Sequence, residues 1–142
     1  MSAAVSYDEV DVGTEIPAQE FTVQRVNLVM YCGASGDFNF IHWNERIAKA
    51  VGLPDVIAHG MFTMASAARV VTDWAGDPGA VVSYKVRFSR PVVVPDDDRG
   101  ATLTVSGRVE EKLEDKRVVV VLSAAAGDGE VLTGARAVVQ LS

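Results

Sequence analysis

Gly60 to Ala75 reads GMFTMASAARVVTDWA, a stretch with hardly a polar face. Wound as a helix, it is surrounded by Met61, Phe62, Met64, Ala65, Ala68, Val70, Val71 and Trp74. A helix that is apolar nearly all round is normally buried, because no side of it suits water. The small residues Ala65, Ser66, Ala67 and Ala68 would let a sheet approach closely. Gly76-Asp77-Pro78-Gly79 then ends it.

Downstream of that helix the pattern changes to sheet. In Val82 to Phe88, Val82, Tyr84, Val86 and Phe88 fall on one face and Ser83, Lys85 and Arg87 on the other. Pro91 and Pro95 make Arg90 to Pro95 an edge or a bend. Ala101 to Glu110, Arg117 to Ala126 and Val131 to Leu141 read as three more strands, separated by turn signals at Glu114-Asp115 and Gly127-Asp128-Gly129. Val118 to Leu122 has no alternating polar residues, which predicts a central strand covered on both faces.

Upstream, Gln19 to Gln24 alternates like a strand around Phe21 and Val23. From Arg25, Val26, Val29 and Met30 fall at helical spacing until Gly33-Ala34-Ser35-Gly36 breaks it. Ser35 to Asn44 reads as an ordered loop, and Glu45 to Val51 as a short helix that stops at Gly52. The expected fold is α+β: an antiparallel sheet wrapped around one long buried helix, about residues 60–75. That is the hot-dog arrangement, here a single domain over residues 1–142. Its exposed edge strands predict a dimer.

Composition fits this and removes other classes. With 49% hydrophobic residues in 142, the chain has enough apolar material for a core. No apolar run approaches the roughly 18 residues of a membrane span. The opening MSAAVSYDEVDVG has neither the basic start nor the apolar centre of a signal peptide. Cys32 is the single cysteine, so no internal disulfide forms and a cytoplasmic setting is expected. A net charge of −6, with its cations scattered, argues against nucleic acid as a partner.

Chemistry concentrates in SGDFNFIH, where Asp37, Asn39 and His42 lie close together. Gly36 permits a tight backbone and Asn39 tolerates a turn. Residues five apart on one helix would point roughly 140° apart, so a folded loop is the better way to aim both side chains at one target. A carboxylate and an imidazole of unlike pKa can hold one water and move its proton either way. The second feature, Ile57-Ala58-His59-Gly60-Met61, runs straight into the helix. Unpaired N–H groups at a helix start attract negative charge, and Gly60 has no side chain to block a ligand carbonyl. His59 there is expected to cap the helix or to pack. Asp37, His42 and His59 could all ligate a metal, but neither a calcium-loop pattern nor a helical histidine pair is present, so no metal is expected.

Asp37-Phe38-Asn39-Phe40-Ile41-His42, then His59-Gly60-Met61, then Tyr84-Lys85-Val86-Arg87-Phe88 with Pro91-Val92, together resemble the MaoC-like, or hydratase 2, family. The resemblance covers nearly the whole chain. Within the family, Ile57 to Met64 and Thr72 to Ala80 are most similar to the beta subunits of actinobacterial (3R)-hydroxyacyl-ACP dehydratases. The resemblance implies reversible conversion of a (3R)-3-hydroxyacyl thioester to a trans-2-enoyl thioester plus water, in fatty-acid metabolism. It implies Asp37 and His42 as the catalytic pair, Asn39 as substrate-positioning, Gly60 as the oxyanion donor, and Phe40, His59 and Met61 as candidate pocket lining. No cofactor is implied beyond the CoA or ACP that carries the acyl group. The implied partner is an identical chain or a related hot-dog subunit. Which of the pair is the base stays open, and a thioesterase or a non-catalytic partner subunit are the competing readings. Two positions depart from the family pattern: Phe40 stands where proline is usual, and Asn44 where an acidic residue is common.

Overall fold

The computed structural model describes residues 3–127 and 129–142. Met1, Ser2 and Asp128, the middle of the expected Gly127-Asp128-Gly129 turn, lie outside the described residues. In chain order the elements are β1 (Glu15–Val23), α1 (Arg25–Ser35), α2 (Glu45–Ala50), α3 (Gly60–Ala75), β2 (Val81–Phe88), β3 (Ala101–Lys112), β4 (Arg117–Ala126) and β5 (Gly129–Gln140). The strands form one sheet in the order β1-β3-β4-β5-β2, antiparallel throughout. α3 lies across it and touches all five strands. This is the hot-dog fold.

α3 packs through Ala67, Val70, Val71 and Ala75 onto Leu103, Val105, Val109, Val120 and Ala137 of the sheet, all buried. Each fully buried valine or leucine there contributes about 1.5–3 kcal/mol relative to exposure. Ala67 lets the helix sit close, as its small side chain predicts. Burial is one-sided, however. Met61 and Ala65 are exposed, because five strands cover one flank of a helix and leave the other open. β4 is the middle strand, as its unbroken apolar run predicts, and its consecutive Val118, Val119 and Val120 are all buried.

Three local readings change. β1 begins at Glu15 rather than Gln19, with a register shift between Ile16 and Gln19 around Pro17, which lacks a ladder N–H. α1 continues through Gly33 and stops only at Gly36, and its buried face is Leu28 and Cys32. Val26, Val29 and Met30, the residues that mark its spacing in sequence, are 56–66% exposed. In β2, Tyr84 and Val86 turn inward and the Tyr84 hydroxyl donates to the Met64 carbonyl (3.0 Å). Val82 and Phe88 are exposed; register shifts between Val81 and Ser83 and between Lys85 and Arg87 interrupt the strict alternation of this edge strand.

The segment read as an edge or bend has a definite task. Val92 accepts from the Ala58 N–H (2.9 Å), and Val94 donates to the Val56 carbonyl (3.0 Å). This short pairing aligns the chain entering α3. Arg25 braces the same region: Nη2 reaches Asp55 (2.5 Å), Nη1 reaches Glu45 (3.0 Å), and Nε donates to the Val94 carbonyl (3.2 Å). Among the described residues, no helix is long and apolar enough to cross a membrane.

Candidate active site

Gly36 ends α1 in the left-handed region (φ 76°), a conformation that only glycine adopts without cost, and throws the chain into the Asp37–His42 loop. Asp37 Oδ1 accepts the Asn39 N–H (3.1 Å), and Asn39 Oδ1 accepts the Ile41 N–H (3.3 Å) to cap a 3-10 turn over Phe40–His42. The Trp43 Nε1–H donates to the Phe38 carbonyl (3.0 Å). These short-range bonds hold the loop without proline. Asn39 itself is extended (φ −54°, ψ 127°), the geometry a following proline would impose. Asn44 caps α2 by accepting the Ile47 N–H (3.1 Å), a task the acidic side chain common there could also perform.

His42 is only 7% exposed, and its Nδ1 lies 2.7 Å from the Ile57 carbonyl. A carbonyl can only accept, so the neutral ring carries its proton on Nδ1 and keeps a lone pair on Nε2. Nε2 is 3.9 Å from Asp37 Oδ2, whose side chain is 54% exposed. That gap is too long for a direct hydrogen bond, yet one water oxygen about 2.8 Å from each would fit. Burial pushes the His42 pKa below its ordinary value, against the opposing pulls of the Ile57 carbonyl and the Asp37 carboxylate; the neighbouring His59 lowers it further. At neutral pH the imidazole is therefore free to take a proton.

Beside His42 opens a cavity of about 290 Å³, lined also by Gly60, Thr63, Phe88, Arg90 and Val92. Gly60, which lines this space, is the first residue of α3, so its N–H has no acceptor within the helix. The reason for glycine differs from the sequence expectation. A Cβ there would stand 3.0–3.1 Å from the Phe88 ring, so the missing side chain admits Phe88 rather than a ligand carbonyl. A wider groove of about 800 Å³ brings together Glu15, Arg108 and Glu130, away from both histidines.

The loop thus unites Asp37 and His42, and of that pair only His42 lines the cavity, together with Gly60 from the α3 entry. Asn39 is an exposed cap of the 3-10 turn and is not among the residues lining the cavity. The three candidate lining residues, Phe40, His59 and Met61, do not line it either. Phe40 is exposed and packs on Trp43 (5.1 Å between centroids); Met61 lies on the open flank of α3. His59 is buried beneath His42, stacked at 3.7 Å, and makes no side-chain cap on α3. Asp37, His42 and His59 do offer atoms within 4.8 Å of one another. The two rings are stacked 20° from parallel, so their lone pairs lie in separate, nearly parallel planes rather than in one shared plane. Thr63, Phe88, Arg90 and Val92 have no local mark of a site in sequence. Only the return of β2 and the segment after it brings Phe88, Arg90 and Val92 to α3.

Comparison with known proteins identifies the family and the fold. The family described as "MaoC like domain" matches residues 9–126. The chain is 43% identical to 3-hydroxyacyl-thioester dehydratase X of Mycobacterium tuberculosis over 79 residues, 56% of this chain and 27% of that protein. It is 34% identical to the (R)-specific enoyl-CoA hydratase of Rhodospirillum rubrum over 92 residues, 64% of this chain and 63% of that one. A solved structure named MaoC-like dehydratase superposes with a TM-score of 0.95 at 40% identity, covering 99% of this chain and 44% of its own. The matched region therefore spans less than two thirds of each of these relatives.

Proposed function

This chain belongs to the MaoC-like domain family, and on that premise we propose that it is a lyase interconverting (3R)-3-hydroxyacyl and trans-2-enoyl thioesters by dehydration and hydration. The observation that carries the reading is the His42 Nε2 lone pair, 3.9 Å from Asp37 Oδ2, beside a cavity that His42 and Gly60 both line. The names of the tuberculosis dehydratase and the R. rubrum (R)-specific hydratase support the same substrate class and stereochemistry.

In the hydration direction, His42 Nε2 and Asp37 hold a water against C3 of the enoyl chain. His42 takes one of its protons as the oxygen bonds to C3. The C2=C3 electron pair moves toward the thioester carbonyl, whose developing negative charge the Gly60 N–H stabilises. The imidazolium, steadied by the Asp37 carboxylate, then returns the proton to C2. One water has been added and His42 is neutral again. Only protons move, so the scheme calls for no redox group or metal. The acyl group would arrive as a CoA or ACP thioester.

A second hot-dog subunit, identical or related, is the partner this reading requires. Val26, Val29 and Met30 leave an apolar face on α1, β2 is an edge strand, and the 40%-identical dehydratase chain has more than half its length outside the match. Mixing the protein with crotonyl-CoA tests the activity. Loss of enoyl absorbance without thiol release is expected. Thiol release would instead mark a thioesterase, and no change, alone or with a related hot-dog subunit, a non-catalytic subunit.

A further inference from the structure

We propose that His59 is a positioning residue: a buried imidazole that ties Asp37, His42 and Gly60 into one unit. The inference rests on the lyase reading for its catalytic consequence, though not for its geometry. His59 is 2% exposed, and its Nε2 lies 3.1 Å from the backbone carbonyl of Asp37, 22 residues earlier. That carbonyl can only accept, so Nε2 carries a proton. Nδ1 is buried and has no hydrogen-bond partner among the described residues. The ring therefore spends its one protein hydrogen bond on the Asp37 backbone. Cys32 Sγ, 3.6 Å from Nε2, is a weaker neighbour of the same N–H.

Three consequences meet in this one ring. Its hydrogen bond fixes the backbone from which the Asp37 carboxylate projects. Its face lies 3.7 Å from the His42 ring at 20°, so His42 cannot tilt toward it, while the edge of Tyr31 closes on His59 at 4.7 Å. Its own backbone leads directly into Gly60, the donor at the start of α3. Small displacements of reacting groups cost rate steeply, which gives such a brace kinetic weight. An ordinary core histidine would satisfy its own polar atoms and leave the loop independent of it.

Two substitutions separate the brace from mere packing. His59→Gln can keep a donor near the position of Nε2 but loses the ring; His59→Phe keeps the ring and loses the donor. Amide hydrogen exchange on the full chain is expected to quicken about tenfold or more across residues 37–41 in His59→Phe, with β3 and β4 unchanged. His59→Gln should restore most of that protection. For crotonyl-CoA hydration, His59→Phe should lower kcat between about tenfold and 100-fold with KM within about twofold, and His59→Gln should lower it less. In the wild type, ¹⁵N-histidine NMR should find Nε2 protonated. Unchanged loop exchange in a folded His59→Phe, or the opposite tautomer, would overturn the proposal. So would a fall in kcat that tracks the loss of thermal stability in both variants equally. An inert wild type would remove the lyase reading, while exchange and NMR would still decide whether His59 braces the loop.

Discussion

Phe88 stands directly over Gly60, its ring edge 3.0 Å from where a Cβ would be, so the last residue of β2 and the first of α3 are fitted to each other. The fit sets how closely the edge strand approaches the helix start, and it forms one wall of the cavity beside His42.

Gly60→Ala should therefore displace the half-exposed Phe88 ring, read as a shifted Phe88 side-chain NMR signal, with a stability change of no more than about 1 kcal/mol by urea unfolding as helix propensity offsets the crowding. Phe88→Leu in the same chain should relieve that crowding, with a coupling of about 0.5–2 kcal/mol between the sites. Strict additivity of the two changes would contradict the contact.

Removing either member of the pair should stop most turnover. Asp37→Asn and His42→Ala are each expected to lower the hydration rate by about 10²–10⁴-fold, and the double variant should be little worse than the poorer single one. Wild-type rates in either single variant would remove that residue from the chemistry.

The pH profile should reflect the buried imidazole. Burial lowers the His42 pKa from an ordinary 6.5, so kcat/KM for hydration should be flat above neutrality and fall on the acid side, with an apparent pKa below that value. Stability follows the same sign. Between the ordinary value and the lower folded one, the unfolded chain binds more protons, so stability declines as pH drops through that window. His42→Ala should flatten this slope in urea titrations. An acid limb above 6.5 would contradict the assignment.

Arg25 joins α1, α2 and the segment before β3 through three acceptors on one guanidinium. Arg25→Ala should cost about 1–3 kcal/mol, seen as a lower Tm. Arg25→Lys should not restore it, because a single ammonium lacks the fork that reaches all three.

Phe40 occupies a turn whose preceding residue is already in the conformation that proline demands. Phe40→Pro should thus be accepted, changing stability by less than about 1 kcal/mol and leaving hydration largely intact. A collapse of activity would show that the Phe40–Trp43 contact, rather than backbone geometry, holds the loop.

What could be read from sequence was local in origin. The bounds of α3, the central place of β4 and the Asp37–His42 spacing follow from runs of side chains, stop signals at Gly76 and Gly36, and one short loop. The face of α1 could not be read that way. Val26, Val29 and Met30 repeat at helical spacing, yet Leu28 and Cys32 face the core, because which side is inward depends on where the sheet lies. Tertiary structure alone gave His42 its tautomer, through a carbonyl 15 residues away, and gave Gly60 its neighbour Phe88. It also brought the His59 ring beneath the loop. Hydrogen bonds and ring contacts between distant residues exist only once the sheet has carried the chain back on itself, and no local pattern records them.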